Sequence, residues 1–156
     1  MVKNFDHVTI VVRDVERAKE FFRLLGFEHD HTVIISGKKF SDYMGVSGIE
    51  AEHVTLVLVG ARPRTEVQFL RYLHPEPIAD PNISTLNKLG FNHVCFAVDN
   101  MEEALRQLRE AGIETRNEVM DFYGRKLVFL RGPEGITVEL SEWHAGSGAT
   151  SQPSPK

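Results

Sequence analysis

The 156-residue chain has little of several features that would place it in a specialised class of protein. It has a single cysteine, Cys95, so no disulfide can form within the chain and a reducing compartment is expected. No apolar run approaches the roughly 20 residues of a membrane span, and the first residues lack the apolar stretch of a signal peptide. With a net charge of −4 and scattered basic residues, the chain also lacks the basic stripe of nucleic-acid-binding proteins. We therefore expect a cytoplasmic protein that binds neither nucleic acid nor membranes.

The sequence contains an internal repeat at an offset of 86 residues. The segment that begins at Phe5 returns at Phe91, and each copy has a histidine two positions later, His7 and His93. Nine of the 24 positions from Phe5 to Glu28 are identical in the second copy. This is far more identity than two unrelated segments share because both contain a turn or a helix. The chain is therefore interpreted as two copies of one module.

Each copy begins with a pattern typical of a strand followed by a helix. Apolar residues alternate with smaller or polar ones after each histidine, as in a half-buried strand. Asp14 and Asn100 are expected to cap the two helices, and Gly26 and Gly112 to end them. Three further strands are predicted in each copy, near His31–Ser36, Glu52–Val59 and Thr65–Tyr72, and near Thr115–Val119, Lys126–Arg131 and Thr137–Trp143.

These elements predict an α+β fold of two tandem βαβββ modules, in which helices cover one face of mainly antiparallel sheets. The modules span about residues 5–74 and 91–143, and a proline-containing linker at 75–90 joins them. We expect a single domain over residues 1–144. Residues 145–156 are small, polar and proline-containing, which predicts a disordered tail.

The last predicted strands of the two copies also overlay, at an offset of 71 residues. Gln68 then takes the place of Glu139, and each of them interrupts otherwise apolar neighbours. A polar group in such a setting costs free energy unless it is hydrogen-bonded or bound to a metal. A slip of two residues would place Glu66 on the same face in place of Gln68, and this alternative stays open.

With these residues identified, the sequence resembles the vicinal oxygen chelate superfamily over nearly all of residues 5–143. The segments FDHVTIVV, TEVQFLRYL, FNHVCFAVDN and GRKLVFLRGPEGITVEL carry the resemblance. It implies that the sheets of paired modules curve around a cavity and that one divalent metal ion (Co, Ni, Mn, Zn or Fe) is bound there. The implied metal ligands are His7, Gln68, His93 and Glu139, a set most similar to that of the epimerase-like and glyoxalase-like members.

The resemblance also implies a reaction on a small-molecule substrate. A metal ion on a carbonyl oxygen acidifies the neighbouring C–H bond because it stabilises the negative charge that develops. A carboxylate then moves the proton. By resemblance, Glu139 is both ligand and base, and a second base is expected at Glu50 or Glu52, between which the spacing does not decide. The resemblance further implies a homodimer.

The favoured function is a divalent-metal-dependent isomerase, epimerase or lyase that abstracts a proton beside a chelated carbonyl. Two alternatives stay open, since members of this superfamily share a fold across several chemistries. One is an Fe(II) extradiol-type dioxygenase, which needs two histidines and one glutamate but no glutamine. The other is a metal-free resistance protein that sequesters a drug, which has no reason to keep four metal ligands.

Overall fold

The structure is a computed structural model that describes residues 1–146 in two compact units, with the boundary after Asp80. We call these unit 1, which ends at Asp80, and unit 2, which begins at Pro81. The boundary falls inside the stretch 75–90 that was expected to be a linker. Of the tail predicted at 145–156, residues 147–156 lie outside the described residues.

Unit 1 is built around a four-stranded sheet in the order β1-β4-β3-β2. Its first strand lies parallel to its last, and the other two pairs are antiparallel. Its elements are β1 (His7–Val11), α1 (Val15–Arg23), β2 (Phe27–Ser36), α2 (Lys38–Met44), β3 (Glu50–Leu58) and β4 (Glu66–His74).

Unit 2 repeats this topology, with the order β5-β8-β7-β6 and again one parallel pair, between β5 and β8. Its elements are β5 (Val94–Ala97), α3 (Met101–Glu110), β6 (Met120–Phe122), β7 (Arg125–Arg131), a 3-10 turn (Pro133–Gly135) and β8 (Thr137–Trp143). The predicted α+β fold of two βαβββ modules is confirmed. In each unit the chain returns its last strand to the side of its first, which brings the two ends of the module together.

The helices that follow the first strands begin where the sequence predicts. The side chain of Asp14 accepts a hydrogen bond from the backbone N–H of Arg17 at 3.0 Å, and Asn100 accepts one from Glu103 at 3.0 Å. Each bond satisfies a backbone donor that has no partner within its helix. Within residues 1–146, no helix combines the length and the apolar character needed to cross a membrane.

One face of each sheet is buried beneath its helix. In unit 1, Phe22 of α1 packs its ring 5.7 Å from that of Phe69 on β4 and 5.7 Å from that of Phe27. In unit 2, the buried side chains of α3 are Met101, Leu105 and Leu108. The buried sheet residues of these faces are Ile10, Val54, Leu56, Val67 and Phe69 in unit 1, and Val128, Leu130, Val138 and Leu140 in unit 2.

A short helix, α2, was not predicted from the sequence. It has seven residues and no side-chain cap, so it is too short to be stable by its own hydrogen bonds. Its Phe40 packs against a small apolar cluster on the sheet face opposite α1. The buried members of this cluster are Ile35, Ile49, Ala51 and Leu70. Tertiary packing therefore forms this helix where local propensity gives no signal.

The strand predicted at Thr115–Val119 is wrong. Only an isolated bridge from Thr115 to Leu130 forms there, and the edge strand β6 comes later, at Met120–Phe122. The side-chain oxygen of Asn117 accepts the backbone N–H of Phe129 at 2.8 Å. A side chain thus takes the place of a backbone carbonyl in the ladder and interrupts the strand.

The start of α3 generates a testable prediction. The backbone N–H of Met101 donates to the carboxylate of Glu142 on β8, and this bond holds the pKa of Glu142 below its ordinary value. The stabilisation is therefore present above the unfolded-state pKa and is lost as the pH falls through the folded-state pKa. We expect Glu142→Gln to lower the free energy of unfolding at pH 7 by about 1–2 kcal/mol. The difference in the free energy of unfolding between the variant and the unmodified protein should shrink in acid. Urea unfolding at pH 7 and at an acidic pH measures it.

The control is Glu102→Gln, which removes an exposed carboxylate from the first turn of the same helix. It should cost less than Glu142→Gln, because its interaction with the helix dipole is screened by solvent. Equal losses in the two variants would show that Glu142 acts only through its charge.

Candidate functional site

The pleat of the sheet decides which way the predicted ligands of unit 1 face. Ile10 on β1 and Phe69 on β4 are buried on the helix-covered face. Since neighbouring side chains on a strand point to opposite faces, His7 and Gln68 lie on the other face of the sheet. We call this the open face of unit 1.

The strand registers settle the correspondence between the two units. Gln68 lies opposite Thr9, two residues after His7, and Glu139 lies opposite Cys95, two residues after His93. Gln68 is therefore the structural counterpart of Glu139, as the overlay of the last strands predicts. Glu66 is also on the open face, where it lies opposite His7 itself, so it is not the counterpart of Glu139 and its place as an alternative ligand stays a prediction.

Both histidine rings are held at Nδ1 by a neighbouring side chain, which leaves Nε2 as the nitrogen that can bind a metal. The Nδ1 atom of His7 lies 2.5 Å from Oδ1 of Asp6, and the Nδ1 atom of His93 lies 2.7 Å from Oδ1 of Asn92. These oxygens only accept hydrogen bonds, so Nδ1 donates and Nε2 of the neutral ring keeps its lone pair. Histidines that ligate metals through Nε2 are usually held in this way by a neighbour at Nδ1.

The two predicted ligands of unit 2 lie close to the spacing of two atoms bound to one ion. Nε2 of His93 lies 3.6 Å from Oε2 of Glu139, and the edge of Phe129 packs against the His93 ring with 5.1 Å between ring centroids. Two atoms bound to one ion at about 2.0–2.2 Å lie roughly 3–3.5 Å apart. Glu139 is only 9% exposed, so an approaching cation meets a carboxylate that water screens weakly.

A thiol and a hydroxyl flank Glu139. The thiol of Cys95 hydrogen-bonds with both Ser141 and Glu139, although Cys95 as a whole residue is exposed. Burial of the sulfur, together with the Glu139 carboxylate, raises the pKa of the thiol to about 11. Cys95 is therefore a neutral neighbour of Glu139 near pH 7 and does not add a second negative charge.

Hydrogen bonds on two sides orient the amide of Gln68. Its Nε2 donates to Oε2 of Glu66 at 2.7 Å, and its Oε1 lies 2.9 Å from Nε2 of His53. Burial by itself would raise the pKa of Glu66, but hydrogen bonds from Arg64 and Gln68 hold it below the ordinary value. The hydroxyl of Thr9 also lies 3.5 Å from Oε1, and since a carboxamide oxygen has two lone pairs, a cation bound to Oε1 would take the place of this longer contact.

Unit 1 also places two carboxylates beside His7. One ligand atom each from Asp6, His7 and Glu66 lie within 4.8 Å of one another, close enough to hold a metal ion. Asp6 and His7 are exposed and Glu66 is half-buried. Among the described residues, unit 1 thus has a group of three candidate cation ligands that includes His7, and unit 2 has the pair His93 and Glu139.

The two glutamates expected as a second base occupy different positions. Glu52 lies opposite Arg71 on the helix-covered face, and Nε of Arg71 donates to its Oε2 at 2.6 Å. This hydrogen bond holds the pKa of Glu52 below its ordinary value. Glu52 therefore points away from the open face, and its expected role does not fit the structure. Glu50 is exposed at the start of β3, beside a register shift, and its role stays a prediction.

Sequence reasoning missed the neighbours that prepare the ligands. His53 was assigned no role from the sequence, yet it contacts Gln68, and only the pairing of β3 with β4 brings the two together. Asp6 and Asn92 could have been found earlier, because an oxygen-bearing side chain precedes the histidine in both copies of the repeat.

A family model for the Glyoxalase/Bleomycin resistance protein/Dioxygenase superfamily matches residues 4–140, so the chain belongs to this superfamily. The resemblance inferred from the sequence is thereby confirmed. Mitochondrial methylmalonyl-CoA epimerase of Bos taurus is 28% identical over 88% of this chain and 73% of its own length. The ethylmalonyl-CoA/methylmalonyl-CoA epimerase of Cereibacter sphaeroides is 26% identical over 91% of this chain and 99% of its own.

Two further matches place this chain among glyoxalase-like proteins. Lactoylglutathione lyase of Schizosaccharomyces pombe is 34% identical over 59 residues, which is 38% of this chain and 20% of that enzyme. The crystal structure of a glyoxalase family protein from Bacillus cereus superposes with a TM-score of 0.83 and 27% identity, covering 92% of this chain and 96% of that one. The superfamily thus includes epimerases and lyases that are related to this chain.

The geometry of His93 and Glu139 predicts the effect of removing one ligand. We expect His93→Ala to weaken divalent-metal binding by at least about tenfold, the minimum effect of losing even a supporting neighbour of a ligand. The fold should be retained, because His93 is partly exposed and is not among the buried core residues. Elemental analysis by mass spectrometry after dialysis measures the bound metal, and circular dichroism reports the fold.

His29→Ala is the matched control, since His29 is an exposed histidine that hydrogen-bonds with Thr32. It should bind as much metal as the unmodified protein. Unchanged metal content in His93→Ala would exclude His93 as a ligand.

Proposed function

We propose that this protein is a divalent-metal-dependent isomerase or epimerase of the superfamily, with His7, Gln68, His93 and Glu139 as the metal ligands. The substrate is a small molecule with a proton next to a carbonyl, such as a 2-acyl thioester. Similarity to methylmalonyl-CoA epimerases over most of the chain supports this choice over a lyase. A cytoplasmic location and a homodimer stay predictions that the superfamily resemblance implies.

The facing pair of His93 Nε2 and Glu139 Oε2 carries the proposal. Their 3.6 Å separation, with Nδ1 of His93 already engaged by Asn92, suits two ligands of one ion. In unit 1, Nδ1 of His7 is likewise engaged, here by Asp6. The amide of Gln68 takes the strand position that the carboxylate of Glu139 has in unit 2. Imidazole, amide and carboxylate donors together suit a hard-to-borderline divalent metal.

A bound divalent ion would polarise the carbonyl oxygen of a substrate and so acidify the adjacent C–H bond. The protein's own groups then handle the proton. A carboxylate has two oxygens, so Glu139 can accept a proton on the oxygen that is not a ligand. Exchange of this proton with solvent before it returns would label carbon 2 of the substrate, and its return to the same face would leave the configuration unchanged. Epimerisation also needs an acid that delivers a proton to the opposite face of the carbon, and Glu50 stays the candidate for that role.

Hydrogen exchange tests the proposed reaction. The metal-loaded protein should incorporate solvent deuterium at carbon 2 of methylmalonyl-CoA, detected by mass spectrometry of the recovered thioester. Glu139→Gln should reduce this exchange by about 100-fold or more, the usual contribution of a general base. Glu52→Gln, the same chemical change on the helix-covered face, should retain most of the exchange.

Metal content must be measured in both variants, because Glu139 is proposed as a ligand as well as a base. Exchange that survives in Glu139→Gln with metal still bound would contradict its role as a base. Absence of exchange in the metal-loaded protein, over a panel of 2-acyl thioesters and 2-oxo compounds, would overturn the proposed reaction.

Oxygen uptake separates this function from the dioxygenase alternative. Four protein ligands leave about two positions on a six-coordinate ion, which accommodates two substrate oxygens but not O₂ as well. We therefore expect the Fe(II)-loaded protein to consume no oxygen with a panel of small catechols, measured with an oxygen electrode. Rapid ring cleavage would favour the dioxygenase and would show that Gln68 does not ligate the metal.

A further inference from the structure

An arginine with an unsatisfied donor lies on the same face of the unit 2 sheet as Glu139. Arg125 is opposite Trp143 in the β7–β8 ladder, and Phe129 on the same strand is opposite Glu139. Residues 125 and 129 are four positions apart, so their side chains share one face of the sheet. The guanidinium carbon of Arg125 lies 4.6 Å from the centroid of the Trp143 ring, which holds the cation against the indole.

The guanidinium of Arg125 lacks the acidic partner that a half-buried cation usually has. Its Nε is buried without a hydrogen-bond partner, and no carboxylate of residues 1–146 forms an ion pair with Arg125. The next residue, Lys126, lies on the opposite face and pairs with Glu142 at 3.4 Å. A half-buried guanidinium with no acceptor costs free energy, and an anion that reaches its terminal nitrogens would offset part of that cost.

The surroundings of Arg125 are apolar. The hairpin turn at Tyr123 and Gly124, both with positive φ, puts Phe122 of β6 directly opposite Arg125. Phe122, Tyr123 and the nearby Met120 are large apolar residues that are 43%, 51% and 53% exposed. This setting suits an anion that is attached to a longer chain with apolar segments, because such a chain also covers the apolar side chains.

The distance from Arg125 to Glu139 along the sheet indicates which part of a substrate carries the anion. Four residues of strand separate the backbone of Arg125 from the position opposite Glu139, or about 13 Å. An anion bound at Arg125 therefore lies several bonds from a carbonyl placed beside Glu139. It therefore belongs to the group that carries the acyl chain and not to the reacting end itself.

We propose that Arg125, held by Trp143, binds a carboxylate or phosphate on the carrier part of the substrate and thereby determines specificity. The planar guanidinium donates two parallel hydrogen bonds to either anion. This inference rests on the proposed function for the identity of the substrate as an acyl thioester. It does not depend on turnover, since it concerns the affinity for the carrier alone.

Calorimetric titration of carriers without an acyl group tests the proposal. The probes are 4′-phosphopantetheine against neutral pantetheine for the phosphate, and glutathione against its diethyl ester for the carboxylate. At least one charged probe should bind tighter than its neutral counterpart. Arg125→Met should weaken that charged probe by about 10- to 100-fold and leave the neutral counterpart unchanged. The pair of probes whose charged member binds tighter identifies the anion as a phosphate or a carboxylate.

Lys126→Met is the matched control, because it removes the same charge from the opposite face of the sheet. It should leave all four affinities unchanged. Arg125→Lys should fall between the unmodified protein and Arg125→Met, since it keeps the charge but loses the planar pair of donors. It also provides a folded variant if Arg125→Met is unstable by circular dichroism.

The proposal is overturned if neither charged probe is preferred by the unmodified protein, or if Lys126→Met loses as much affinity as Arg125→Met. These outcomes are distinct from a failure of the proposed function. Loss of deuterium exchange with intact carrier discrimination would contradict the proposed reaction and leave the role of Arg125 in place.

Discussion

The sheet face under each helix holds most of the buried apolar side chains, and the orientation of Gln68 and Glu139 follows from this. Val67 and Phe69 on either side of Gln68 are 0% exposed, as are Val138 and Leu140 on either side of Glu139. A slip of one residue in either strand would turn these apolar side chains toward solvent and drive the polar residue into the core. Register and site are therefore fixed by the same burial.

The two units prepare their histidines alike but distribute charge differently. In unit 1 the residue bonded to the histidine is the acid Asp6 and the proposed ligand is the neutral Gln68. In unit 2 the bonded residue is the neutral Asn92 and the proposed ligand is the acid Glu139. The amide of Gln68 in turn contacts the carboxylate of Glu66. Each unit thus keeps negative charge near its histidine, which favours a cation at both, but only unit 2 offers a carboxylate as the proposed ligand.

The face of the unit 2 sheet that carries Glu139 also carries Arg125, for which a separate role is proposed. His93 and Glu139 lie at one end of the β7–β8 pair, and Arg125 with Trp143 lies toward the other. Because this superfamily supports several chemistries on one fold, side chains outside the proposed ligand set can also distinguish its members. A cation on an indole, several residues from the reacting groups, is a feature through which a common fold can select one carrier.

The repeat and the apolar alternation in the sequence were enough to determine the βαβββ modules, both helix caps and the equivalence of Gln68 with Glu139. These depend on local patterns and on duplication, which are visible in one chain. Three features were decided only by tertiary structure. The helix α2 forms because Phe40 has a cluster to pack on, and Glu52 faces Arg71 because of strand register. His53 contacts Gln68 through β3–β4 pairing that joins residues 15 apart. Such contacts between distant segments have no periodic signal in the sequence, because the register that creates them is set by the packing of the whole sheet.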